Sequence, residues 1–167
     1  MDDKYFEDMK EKYKNSFIML RLYEILNELE NEHIDLSDNN VIKFICRRSF
    51  HDLFSIKIEW KNNEFMGLFV LNVIPMRSIK EENVKHYVKL IKIEHIEKLL
   101  SILEKYKYFE ESNYIERHGL DGASWKVQIK IMEKYKELDI WSPDDGVVYD
   151  IGKYLISLSD IDLGQIY

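Results

Sequence analysis

The chain is 167 residues long, the size of one ordinary domain, which argues against a two-domain enzyme. Acids outnumber bases by 31 to 24, a formal net charge of -7, so the basic balance of a general nucleic-acid binder is missing. A hydrophobic share of 46% excludes disorder, and the single cysteine, Cys46, excludes an intrachain disulfide and fits a reducing compartment.

The chain opens Met1-Asp2-Asp3-Lys4, without the basic start, apolar run and small-residue cleavage site of an export signal. Its longest apolar stretches, residues 17–20 and 66–71, fall far short of the ~20 residues a membrane helix needs. The expectation is a cytoplasmic protein that does not engage the membrane.

Residues 1–35 predict an N-terminal helical element. Phe6, Met9, Tyr13 and Phe17 recur at spacings of three and four, and Leu22, Ile25, Leu26 and Leu29 continue the stripe. Asn15-Ser16 is a candidate cap, so one bent helix and two consecutive helices both fit. The polar stretch 31–40 is the clearest break in the chain, too short for a domain linker.

From Val41 the period changes to two. Residues 41–50 predict a first strand, and residues 54–60 alternate apolar and polar without error, the pattern of a half-buried strand. Residues 61–64 read as a hairpin turn. Residues 65–74 are apolar on both faces and end at Pro75, which predicts a central strand covered on both sides. Residues 87–93 predict a fourth strand. Ile96, Leu99, Leu100, Leu103 and Tyr106 then mark an amphipathic helix over about 94–107.

Gly119 and Gly122 bracket a loop, residues 125–131 alternate again, and a tight turn at 133–134 leads to a partner strand ending at Trp141. Ser142-Pro143-Asp144-Asp145-Gly146 carries full turn chemistry, and its aspartates are candidate caps for a last helix whose buried stripe is Val148, Ile151, Leu155 and Leu158. Short links between consecutive strands imply antiparallel pairing. The expected fold is a single α+β domain over 1–167. It has an antiparallel sheet of about six strands, the N-terminal helical element and two further helices packed on the sheet.

Four segments follow one another: Arg48-Ser49-Phe50-His51, Gly119-Leu120-Asp121-Gly122-Ala123-Ser124-Trp125, Trp141-Ser142-Pro143-Asp144-Asp145-Gly146, and a Gly-x-Tyr-Leu-x-x-Leu stretch at 152–158. In this order the chain resembles a family of small uncharacterised bacterial proteins over residues 42–161. Proteins of that sort resemble immunity proteins of bacterial toxin systems, which is an association rather than a mechanism. One departure stands out: residues 72–85, where the family pattern expects a Gly-rich loop, hold no glycine.

Candidate chemistry is sparse. The five histidines, His33, His51, His86, His95 and His118, form no His-x-x-x-His pair, and no Cys-x-x-Cys exists, so no metal is expected. No Gly-rich phosphate loop and no Gly-x-Ser-x-Gly elbow is present, so no cofactor and no catalytic residue is assigned. Cys46 reads as a buried core residue.

The cluster that stands apart is Arg47, Arg48, His51, His118, Asp121, Trp125 and Trp141. An arginine pair inside a strand is costly unless paired, and Asp121 is a candidate partner. One reading is a small-ligand or enzymatic pocket of Arg48, His51, Asp121, Trp125 and Trp141. The favoured reading is structural, with Asp121 and Arg48 tying the loop to the sheet and the tryptophans completing the core.

Acids also line one side of the N-terminal element, among them Glu24, Glu28 and Glu32. Carboxylates there would complement a basic partner and speed its association. The leading expectation is therefore a non-enzymatic interaction domain, an immunity protein that occludes the active site of a cognate basic toxin through Glu24, Glu28 and Glu32. The oligomeric state stays open. A free sheet edge offers a route to a homodimer, with residues 65–74 not expected to be that edge.

Overall fold

The computed structural model of the chain describes residues 32, 34–62, 64–75, 84–110, 122–164 and 166. Its strands are β1 (Asn40–Arg48), β2 (Leu53–Trp60), β3 (Met66–Ile74), β4 (Lys85–Lys92), β5 (Ala123–Ile131) and β6 (Lys134–Trp141). Two helices, α1 (Ile93–Lys105) and α2 (Gly146–Ser157), and a short 3-10 turn at Ile34–Leu36 accompany them. All six strands join one sheet in the order β4-β3-β2-β1-β5-β6, every neighbouring pair antiparallel. The single α+β domain with its antiparallel sheet and two helices is as the sequence predicts. The N-terminal helical element, with Glu24 and Glu28, lies outside the described residues.

The period-two alternation sends one set of side chains to each face. Ile42, Phe44 and Cys46 of β1, Phe54, Ile56 and Ile58 of β2, and Trp125, Val127 and Ile129 of β5 share the face that α1 and α2 cover. The helices answer with Ile96, Leu99 and Leu103 from α1 and Val148, Ile151 and Leu155 from α2, recurring at three and four as a buried helix face requires. Gly152 lets α2 sit close. A Cβ there would lie 2.6 Å from both Cε3 and Cζ3 of Trp125.

The opposite face is buried at its centre as well, and it mixes apolar with polar groups. Val41, Ile45, Leu53 and Ile74 share it with Lys43, Ser55 and Gln128, all of them buried. The strand covered on both sides is thus β1, not β3 as the apolar run of residues 65–74 predicts. β3 lies one place from the edge, where Met66 and Leu68 are exposed beside Val88 and Leu90 of β4. An apolar run reports the chemistry of a strand but not its place in the sheet.

Two further expectations change. The first strand leaves its ladder at Arg48, two residues short of the expected end at residue 50, and His51 lies in the turn before β2. Asp145 does occupy the N-cap position of α2, yet its side chain makes no capping hydrogen bond. The next residue, Gly146, has φ +88, a left-handed conformation that glycine adopts without steric cost. Among the described residues, no helix is long and apolar enough to cross a membrane.

Candidate functional site

Of the polar cluster expected around Arg48, the register sets the described Trp141 on the other face of the sheet from Arg48 and Trp125. Arg48 ends β1 on the helix-covered face, is 5% exposed, and lies over the Phe54 ring at 5.2 Å. Its Nε donates to the Asp52 carbonyl at 2.8 Å, Nη2 reaches the same carbonyl, and Nη1 donates to the Leu163 carbonyl at 2.5 Å. The guanidinium fork therefore clamps the β1–β2 turn and the C-terminal segment to the core, a task its planar donors suit. His51 sits half-buried in that turn. Asp121 and His118 lie outside the described residues.

The two tryptophans separate. Trp125 pairs in register with Cys46 and Ile140 on the helix-covered face, 1% exposed, edge-on to Phe44 and stacked on Tyr149 with centroids 5.9 Å apart. Trp141 pairs with Ser124, so its side chain belongs to the opposite face. The register thus places the sheet between Trp141 and the Arg48–Trp125 pair.

Burial pushes the Cys46 thiol up to about 12, against the opposing pull of Arg48 and Arg47. It holds its proton at neutral pH and is not a nucleophile. Arg47 points the other way from Arg48 and meets Asp139 and Ser124, so the neighbouring arginines are used on opposite faces.

Glu32, the one described member of the expected acidic surface, is turned to the second face. Its Oε2 accepts from Lys43 Nζ at 2.7 Å and its Oε1 from Lys57 Nζ at 2.5 Å. Desolvation raises the Glu32 carboxyl, but the hydrogen bonds and charges of the two lysines outweigh it and hold it below its ordinary value. The 1%-exposed Lys43 ammonium needs this partner, because a lone buried charge is expensive. Glu32 is thus committed inside the molecule on both oxygens.

A different feature is open. At the β2–β3 hairpin end a groove of about 550 Å³ is lined by Trp60, Phe65, Met66, Leu68 and Leu90, with the carboxylates of Glu59 and Glu64. Phe65 is 84% exposed and Leu90 62%. The hairpin positions it: the Glu64 amide donates to the Lys61 carbonyl, and the Ile93 amide to that of Phe65, which brings the end of β4 beside the turn. Clustered large apolar side chains in the open mark binding surfaces, whereas scattered ones do not. Sequence reasoning assigned this strand to the interior. The signal it passed over is Phe65, which stands directly after the turn, outside the ladder.

Among the described residues, no three His, Cys, Asp or Glu side chains gather into a metal-binding group. No family model matches this chain, and no curated protein matches it.

Proposed function

We propose that this chain is a protein-interaction domain without catalytic activity, an immunity protein that binds and neutralises a cognate toxin. The observation that carries the reading is the hairpin-end groove, where Phe65, Met66, Leu68 and Leu90 lie open beside Glu59 and Glu64. The Glu59 carboxylate already accepts from Asn39 and lies 3.7 Å from Lys57 Nζ, so an apolar floor with Glu64 at its rim is what suits the aliphatic stem and charged head of a partner's lysine or arginine. This fits the basic toxin that the chain's acidic balance favours. Arg48, Glu32 and Glu59 spend polar atoms within the fold, which leaves the exposed apolar side chains of this groove and Glu64 as the better docking surface. The motif resemblance to a family of small uncharacterised bacterial proteins, which by association look like immunity proteins, supports the same reading, as does the absence of a recognisable catalytic motif from the sequence.

The test is capture from a lysate of the native host with wild-type protein and with a Phe65→Asp/Leu68→Asp variant. The expected result is a stoichiometric basic protein, toxic when expressed alone, silenced by co-expression of the wild type and lost from the double variant. Undiminished capture by the variant would remove the groove from the account, and a captured protein that is harmless alone would remove the immunity reading.

A small-ligand reading has one observation in its favour. Among the described residues the buried Trp125 indole N–H has no hydrogen-bond partner, and a hollow of about 480 Å³ beside that residue is lined by Asp144, Tyr149 and Lys153. A ligand offering an acceptor would register there as a thermal shift that Trp125→Phe abolishes.

A further inference from the structure

We propose that residues 1–31 dock on the second face of the sheet, over β2, β1 and β5, as a third layer opposite α1 and α2. Both described helices pack on the other face. Yet on this one Val41, Lys43, Ile45, Leu53 and Ile74 are each at most 3% exposed in the single chain. Glu32 and the turn at Ile34–Leu36 supply part of that cover. The turn contacts β5, and Lys130 Nζ donates to the Ser37 carbonyl, at the Val41–Lys130 end of the strands. Ile45 lies about 13 Å further along β1, with Leu53 and Ile74 toward the same end.

The burial also has a boundary. Toward the sheet edge Leu68 is 39% exposed, and Val88 and Leu90 are 62% exposed. The footprint therefore crosses β2, β1 and β5 and stops short of the Leu68–Leu90 end of β3 and β4.

Three properties make residues 1–31 the occupant. The chain already stands on this face at residue 32, where Glu32 is held by the register pair Lys43 and Lys57. The stripe of Phe17, Leu22, Ile25, Leu26 and Leu29 supplies the apolar side that Val41, Ile45, Leu53 and Ile74 need. As a helix, residues 17–31 would run about 22 Å and be about 10 Å wide, against the ~10 Å from β2 to β5 and the ~30 Å length of a nine-residue strand.

Charge is the third. On this face β1, β2 and β5 carry Lys43, Arg47, Lys57, Lys126 and Lys130 against the one acid Glu59. Residues 22–32 carry Glu24, Glu28, Glu30 and Glu32 and no base. The stretches 76–83 and 111–121, also outside the described residues, are shorter and hold no apolar stripe of this length. Docking here leaves the hairpin-end groove open, so the inference stands apart from the proposed toxin binding, and either can fail while the other holds.

The test is hydroxyl-radical footprinting of the full chain, wild type against a Leu26→Asp/Leu29→Asp variant, read by mass spectrometry. In the wild type Ile45, Leu53 and Ile74 should stay protected while Leu68 and Leu90 are oxidised. In the variant the first three should rise to the level of Leu68, with Ile56 and Leu71 of the helix-covered face still protected. Zero-length carbodiimide coupling of the unaltered chain, mixed with an isotope-labelled copy, decides the matter even where the variant unfolds. It should join an acid of residues 22–31 to Lys43, Lys57, Lys126 or Lys130 within one chain. Undiminished protection of Ile45 and Leu53 in a folded variant, or a coupling reaction without such a link inside one chain, would overturn the proposal. Links found only between labelled and unlabelled copies would overturn it in favour of a second molecule on this face.

Discussion

Gly152→Ala tests the close approach of α2 to the sheet, and two effects of opposite sign decide its outcome. Alanine is the better helix former, a gain of about 1 kcal/mol in a helix interior. Against this, the new Cβ would lie 2.6 Å from Cε3 and Cζ3 of Trp125 and 2.9 Å from Cε2 of Phe44. Neither ring is free to retreat. Trp125 is stacked on Tyr149 and 1% exposed, and Phe44 is held edge-on to Trp125 and to Phe54.

Overpacking of a filled core costs typically 1–3 kcal/mol, and three contacts below 3 Å place this site in the upper part of that range. The net loss is then about 1–2 kcal/mol, or a fall in Tm of about 2–8 °C for a chain of this length. Urea unfolding followed by tryptophan fluorescence and by circular dichroism reads it. Gly67→Ala is the control, since its one contact below 3 Å is Ile96 Cδ1 at 2.9 Å, the tip of a side chain that can change rotamer. That variant should lose less than about 1 kcal/mol. A Gly152→Ala protein as stable as wild type, or more stable, would refute the close-packing account of that glycine.

Two further outcomes follow from the polar groups. Arg48→Met removes a buried fork that serves two carbonyls, and unfolding should show a loss on the order of 2–4 kcal/mol, while Arg47→Met, partly exposed beside Asp139, should lose about 1 kcal/mol or less; equal losses would show that burial does not distinguish the two. Glu32 is held below its ordinary pKa in the fold, so the unfolded chain takes up that proton first. Its stabilisation is complete above the ordinary glutamate value and is lost as pH falls through the folded one. The gap in urea midpoint between wild type and Glu32→Gln should therefore be widest near neutrality and close on acidification, and a gap unchanged by pH would contradict the assigned pairing with Lys43 and Lys57.

Local pattern carried the secondary structure because its physical cause is local. The alternation at residues 54–60 and 125–131 and the three-four stripe from Ile96 to Leu103 each follow from which side chains must leave water, whatever the partner. The α+β class and antiparallel pairing follow from those elements and their short links. Position and sidedness belong to the tertiary structure. Residues 65–74 predict a central strand, yet the chain order places β3 next to the edge and exposes Leu68, while β1, less apolar in its own sequence, takes the middle.

The same holds for the site. Arg47 and Arg48 are adjacent in sequence and serve opposite faces, Trp125 and Trp141 are divided by the sheet, and Glu32 looks like a free surface acid until Lys43 and Lys57 come to it from two strands. A residue's own chemistry and period set its local geometry. Which neighbours it meets depends on register and strand order, and these are settled only when the whole sheet closes around its core.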